Sequence, residues 1–202
     1  MEHLQQGIDY LRNCDSVLKR IIDETGPYKP NRPTDHFTSM VRSIMGQQLS
    51  VKAAATIYGR LVERARGSLS PESLNAIPDE DFRTCGVSRQ KLGYLRDLSR
   101  HFTEAPETFS RLPELSDDEV ITALTAVKGI GVWTAQMFLM FTLHRPDVFA
   151  PDDVGLQNAM KRWYEWKATP DKKALVAKAE DWAPWRTVAC WYLWQSLDNE
   201  PK

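Results

Sequence analysis

Apolar side chains return every three or four positions along almost the whole chain, as in Phe37, Met40, Val41, Ile44 and Met45, and again in Val120, Ile121, Leu124 and Val127. That is the spacing of one helix face, and no run shows the two-residue alternation of a strand, so an all-α fold is expected. Residues able to satisfy first-turn amides punctuate the pattern: Thr34, Ser50, Ser70 followed by Pro71 and Glu72, Ser88, and Ser116 followed by Asp117, Asp118 and Glu119 as a capping box. About ten short helices are expected between such signals. Two proline-rich connectors, GPYKPNRP at 26–33 and PETFSRLPELS at 106–116, frame the helices between them as a lobe.

At 202 residues and 42% hydrophobic, the chain suits one sizeable domain. It carries 26 Lys plus Arg against 27 Asp plus Glu, a net charge of −1. No whole-protein attraction to a polyanion follows, so a nucleic-acid or membrane site would have to be a local patch. Cys14, Cys85 and Cys190 are far apart, odd in number and without a CxxC, which argues for a reducing compartment and against a disulfide framework or cysteine metal site. His3, His36, His101 and His144 make no i, i+4 pair for zinc. The start, MEHLQQGIDYLRNCD, lacks a basic region followed by an apolar run, and no stretch reaches the length of a membrane span. A soluble, cytoplasmic protein without a membrane partner is expected.

VKGIGVWTAQ (127–136) breaks the helical pattern with Gly129 and Gly131. Glycine supplies the positive φ of a tight reversal, and without a Cβ it lets a backbone or a ligand come close. The helix beginning at Val132 presents amides and a dipole suited to a phosphate oxygen, to which Thr134 adds a hydroxyl. An ordinary turn between packed helices accounts for the two glycines equally well. Farther on, Pro151-Asp152-Asp153 precedes another helical stretch. Either acid suits a helix cap, and one cap needs only one acid; a carboxylate held ionised there would also oppose positive charge developing on a sugar ring.

The wider stretch LTAVKGIGVWTAQMFLMF resembles the helix-hairpin-helix DNA-binding motif, with Leu124, Val127, Gly129, Ile130, Gly131, Thr134, Ala135 and Phe138 at matching positions. The resemblance implies that hairpin amides bind DNA phosphates without regard to sequence, with a monovalent cation held by turn carbonyls rather than a metal held by side chains. Such a hairpin followed about twenty residues later by an aspartate is similar to the helix-hairpin-helix DNA glycosylase superfamily. The 3-methyladenine DNA glycosylase II (AlkA-type) branch is the best match. FTSMVRSIMGQQLSVKAAATIYGRL (37–61), CGVSRQKLGYLRDLSR (85–100), the hairpin, DVFAPDDVGL (147–156) and DWAPWRTVACWYLW (181–194) keep that branch's order and spacing.

The resemblance implies two helical lobes flanking an active-site cleft in a single domain, lobe A about 34–116 and lobe B about 1–33 plus 117–202, without an N-terminal β domain. It implies that Asp153 is the catalytic acid and Asp152 its structural neighbour. Bifunctional members carry a nucleophilic lysine two residues after the second hairpin glycine; here Trp133 stands there, which implies base excision without strand cleavage. Iron–sulfur members need four closely spaced C-terminal cysteines, whereas only Cys190 lies there, so no cofactor is expected.

Trp133 and Trp194 match aromatic positions of the family's base pocket, while Met137 departs from the tyrosine of some relatives. Stacked indoles favour a base made cationic by alkylation, which is also a good leaving group. Gln48 matches the residue that fills the gap left by a flipped nucleotide, or is a turn glutamine beside the Ser50 cap. Arg89, Lys91 and Lys128 are candidate phosphate contacts or solvated surface charges, and Arg186 is a partner for DNA or for an acid within the fold. The expected function is a monomeric, monofunctional glycosylase on duplex DNA. Its expected substrates are 3-methyladenine and 7-methylguanine, with 1-methyladenine, 3-methylcytosine and hypoxanthine as further candidates. The alternative is a non-catalytic module that recognises DNA structure.

Overall fold

A computed structural model of the chain describes residues 2–30 and 33–198. Among the described residues there are thirteen α-helices, two 3₁₀ turns and no strand. In order the helices are α1 (Glu2–Cys14), α2 (Ser16–Thr25), α3 (His36–Gly46), α4 (Val51–Arg64), α5 (Pro71–Ala76), α6 (Asp79–Cys85), α7 (Arg89–Glu104), α8 (Pro106–Ser110), α9 (Asp117–Thr125), α10 (Val132–Phe141), α11 (Val154–Trp163), α12 (Lys172–Ala179) and α13 (Arg186–Asp198). None of them is long and apolar enough to cross a membrane.

Most caps follow the sequence. Ser50, Ser88 and Ser70 accept first-turn amides, and Ser116 and Glu119 form the expected capping box. At α3 the cap is Asp35 rather than Thr34, its carboxylate accepting from the Thr38 N–H at 2.8 Å. The 106–116 stretch is not a bare connector. Pro106 opens α8 at the first helical position, where a missing N–H costs nothing, and a 3₁₀ turn at Leu112–Glu114 follows. Phe109 and Leu112 bury themselves there, Phe109 stacked on Phe102 with centroids 4.1 Å apart. Of the first connector, Asn31 and Arg32 lie outside the described residues.

The chain divides into two compact units, Arg32–Phe138 and Met1–Asn31 with Leu139–Lys202. In the first, α3 and α5 pack on α7. Met40, Val41 and Ile44 of α3 and Leu95 and Leu98 of α7 are fully buried, each burial contributing about 2 kcal/mol. The sequence reading groups 117–138 with the chain termini, but here the hairpin belongs with 32–138. Long-range polar contacts account for that: the Lys128 N–H donates to Asp97, and the Gln47 side chain donates to the Gly129 carbonyl.

In the second unit α13 packs against α2 and α11. Its buried polar centre is Asp15, which caps α2 through the Val17 and Leu18 amides. Its other oxygen accepts from Tyr164 Oη at 2.6 Å and Trp182 Nε1 at 3.0 Å, with Lys178 Nζ 2.9 Å away. Burial alone would raise the carboxyl's pKa, but the donors from Tyr164, Lys178, Trp182 and Leu18 outweigh it and hold the group at about 2. Because that lies below the ordinary 3.8, Asp15 stabilises the fold fully above about pH 4 and the contribution is lost as pH falls through about 2. Asp15→Asn is therefore expected to lower the unfolding free energy by about 2 kcal/mol at pH 7. Urea titrations at pH 7 and near pH 2 should show the gap between variant and wild type closing in acid; a gap of constant size would remove the charge from the explanation.

Candidate active site

The hairpin is fixed from beneath by α7. Asp97, 8% exposed, accepts the Lys128 N–H at 2.8 Å and pairs with Arg100 at 2.8 Å. Burial pushes its pKa up, but the Lys128 amide and Arg100 more than offset this and hold it below the usual range, so a buried anion anchors the turn. Gly129 has φ +82°, and a Cβ added there would lie 2.3 Å from the Tyr94 ring. Gly131 has no positive φ and meets nothing within 4 Å. The fold therefore requires the first glycine and leaves open space at the second. Lys128, Gly129 and Gly131 are exposed, and the first-turn amides of α10 begin just beyond them. Thr134 is 7% exposed and lines the cavity that Trp133 also lines.

Also within this unit is a cavity of about 640 Å³ whose lining includes Arg42, Gln48, Tyr94, Trp133, Thr134 and Met137. Trp133, on the wall of this cavity, is 45% exposed. Gln48, exposed, follows α3 in a left-handed conformation at φ +56°. Lys91 departs from its expected place among surface cations. Its Nζ donates to the carbonyls of Met45 and Gln47, each at 2.7 Å, and burial pushes its pKa down. Arg89, at the start of α7, is exposed.

Asp153 sits in the other unit, at the start of α11. The segment leading to it is strapped to α13. Arg186 clasps Asp147 with Nε on Oδ1 at 2.7 Å and Nη2 on Oδ2 at 2.9 Å, and Thr187 Oγ1 donates to the Arg145 carbonyl while accepting the Val148 N–H. Arg186 is thus the partner of an acid within the fold, and that acid raises its pKa. Nearby Cys190 is fully buried, which pushes its thiol well up and leaves it neutral and unreactive.

Asp153 is itself the cap of α11. Its Oδ1 accepts the Leu156 N–H at 2.8 Å and the Trp194 Nε1–H at 2.8 Å. Asp152 is exposed and pairs with Lys172 at 2.7 Å. The two acids therefore differ in surroundings, and both the cap and the half-buried, doubly hydrogen-bonded position fall to Asp153. Gly155 is the residue that sequence reasoning missed. A Cβ there would stand 3.0 Å from Asp153 Oδ1 and 3.2 Å from Trp194 Cδ1 and Nε1, so any larger residue would push the indole edge or the carboxylate by a few tenths of an ångström. A glycine in the first turn, where propensity favours almost any other residue, is the one sequence signal that points to it. The result is a carboxylate oriented by two donors at a helix start, whose negative charge can oppose a cation forming beside it while the positive dipole end offsets part of that effect.

All-helical construction, a glycine hairpin with an aspartate-capped helix after it, and the absence of strands among the described residues define a class. The chain belongs to the HhH-GPD superfamily of base excision DNA repair proteins, whose pattern it matches over residues 41–184. It is 32% identical over 193 residues to DNA-3-methyladenine glycosylase 1 of Schizosaccharomyces pombe, covering 93% of this chain and 85% of that protein. Among solved structures, a DNA-3-methyladenine glycosidase from Bacillus halodurans superimposes with a TM-score of 0.86 at 41% identity, covering 96% of this chain and 89% of the other. The S. pombe 3-methyladenine DNA glycosylase in complex with abasic DNA gives 0.85 at 30% identity, over 98% of this chain and all of its own.

Proposed function

We propose that the chain is a monofunctional DNA glycosylase of base excision repair that excises alkylated bases from duplex DNA. Its substrates in this reading are 3-methyladenine and 7-methylguanine first, with 1-methyladenine, 3-methylcytosine and hypoxanthine as further candidates. It acts as a cytoplasmic monomer. The observation that carries the reading is the Asp153 carboxylate, held by the Leu156 amide and the Trp194 indole.

The target nucleotide leaves the stack, and Gln48 fills the gap. The amides around Gly129 and Gly131, the Thr134 turn, Lys128 and Arg89 grip phosphates. A monovalent cation at the hairpin fits its neutral carbonyl oxygens: those of Val127 and Gly129 accept from the Ile130 amide and Gln47, and a carbonyl has two lone pairs. Such an ion would supply positive charge for a phosphate.

Trp133 and Met137, which line one cavity, provide faces for the flipped base, where a cationic alkylated ring gains from an indole. The C1′–N bond breaks with its electron pair leaving on the base, which neutralises an alkylated base's positive charge; neutral hypoxanthine must first take a proton from solvent to leave in the same way. Asp153 opposes the charge that appears on the sugar, and water adds to C1′ and gives up its proton to bulk solvent. Trp133 cannot form a Schiff base, so the strand stays intact.

Methylated duplex is the test, with freed bases, strand breaks and borohydride-trapped adducts scored separately. The expected result is release of 3-methyladenine or 7-methylguanine with neither breaks nor adduct. DNA binding without release from this or a broader lesion panel would replace the enzyme with a module that recognises DNA structure.

A further inference from the structure

Gln48 stands in a turn that its own backbone holds weakly. The Gln47 amide reaches the Ile44 carbonyl at 3.4 Å and the Leu49 amide reaches Gly46 at 3.3 Å, both at the long end of hydrogen bonding. Between them Gln48 occupies a left-handed conformation that costs a non-glycine residue about 1 kcal/mol or more. Such a conformation persists only where the surroundings impose it. Here they do so through Lys91, whose ammonium spans the Met45 and Gln47 carbonyls at 2.7 Å each. These oxygens lie at the negative end of α3, where a cation binds best, and the bonds are charge-assisted. Gln47 adds a third tether, its side-chain amide donating to Gly129 O at 2.8 Å.

We propose that Lys91 is a positioning residue for Gln48: it clamps the carbonyls before that residue so that the glutamine is presented ready to enter the DNA stack, and it makes no phosphate contact. This rests on the reading of Gln48 as the gap-filling residue. A preorganised turn lowers the ordering cost of insertion, so the clamp acts on base flipping and not on the electrostatic grip.

The test compares wild type, Gln48→Ala, Lys91→Met, Lys91→Arg and the Lys91→Met/Gln48→Ala pair. Readouts are single-turnover base release, fluorescence of 2-aminopurine placed beside the lesion, and the slope of log affinity against log salt. Lys91→Met is expected to slow release about tenfold and blunt the fluorescence rise, with an unchanged salt slope. The double variant is expected to be no slower than Gln48→Ala, because coupled residues are not additive. Lys91→Arg, which keeps donors for both carbonyls, is expected to recover most of the rate.

A salt slope reduced by about one with flipping intact would make Lys91 a phosphate contact and overturn the proposal. So would losses that multiply in the double variant, or a Lys91→Arg protein as slow as Lys91→Met. If Lys91→Met does not fold, Lys91→Gln, with a donor for one carbonyl, takes the same readouts. A Gln48→Ala protein as fast as wild type removes the gap-filling role itself, whereas a slow Gln48→Ala beside a normal Lys91→Met removes only the clamp.

Discussion

Asp153→Asn is expected to release methylated bases about a hundredfold to a thousandfold more slowly than the wild type while melting at nearly the same temperature. The two halves of that result come from separate physical roles of one side chain. As a cap, asparagine equals aspartate: its amide oxygen can accept the Leu156 N–H and the Trp194 Nε1–H that Asp153 Oδ1 accepts now. What disappears is one negative charge, whose largest effect is expected when the sugar becomes cationic, the loss of its partner at the helix N-terminus costing only about 0.5 kcal/mol. Binding to a duplex containing an abasic site should be retained or tightened, since an anion near a polyanion has been removed. Single-turnover base release, a melting scan and abasic-duplex binding read the three consequences independently. An unchanged rate would confine Asp153 to capping α11 and take the catalytic charge away from this site.

The hairpin and most helix starts were legible in the sequence because each obeys a local rule, whereas between Asp152 and Asp153 the local rule left the cap open and only the resemblance singled out Asp153. A tight reversal wants glycine, a first turn wants a hydroxyl or carboxylate, and both rules act within a few residues. Where two cap-competent residues are adjacent, as at Thr34 and Asp35, only the side-chain path to the Thr38 amide decides between them. The residues that could not be read are those whose partners lie far along the chain. Lys91 reads as a surface cation because helical periodicity gives a face, not the carbonyls of Met45 and Gln47 opposite it. Asp97, which no local rule singles out, acquires its role only where the Lys128 amide, 31 residues away, donates to it. Trp194 was assigned to a pocket from resemblance, but its bond to an aspartate 41 residues away, and its close approach to Gly155, are properties of packing alone.

The two hairpin glycines, indistinguishable in the sequence, should separate under substitution. Gly129→Ala is expected to destabilise the protein by about 3 to 5 kcal/mol, the sum of a left-handed alanine and a forced repacking. The repacking is unavoidable because the new methyl would lie 2.3 Å from the Tyr94 ring, and Tyr94 is itself held by a 2.7 Å hydrogen bond from Gln90 to its hydroxyl. For a chain of this size the melting temperature should fall on the order of 10 °C. Gly131→Ala meets no atom within 4 Å and needs no unusual φ, so stability should stay within about 1 kcal/mol of wild type. Its methyl would nonetheless project from an exposed turn at the start of α10, where a phosphate must approach closely to reach the amides. Affinity for duplex DNA is accordingly expected to drop about tenfold, the cost of losing one or two charge-assisted hydrogen bonds. Melting scans and binding titrations at one fixed salt concentration test the pair together. If Gly131→Ala binds DNA as the wild type does, the hairpin is a packing device only, and the phosphate grip has to be sought elsewhere on the chain.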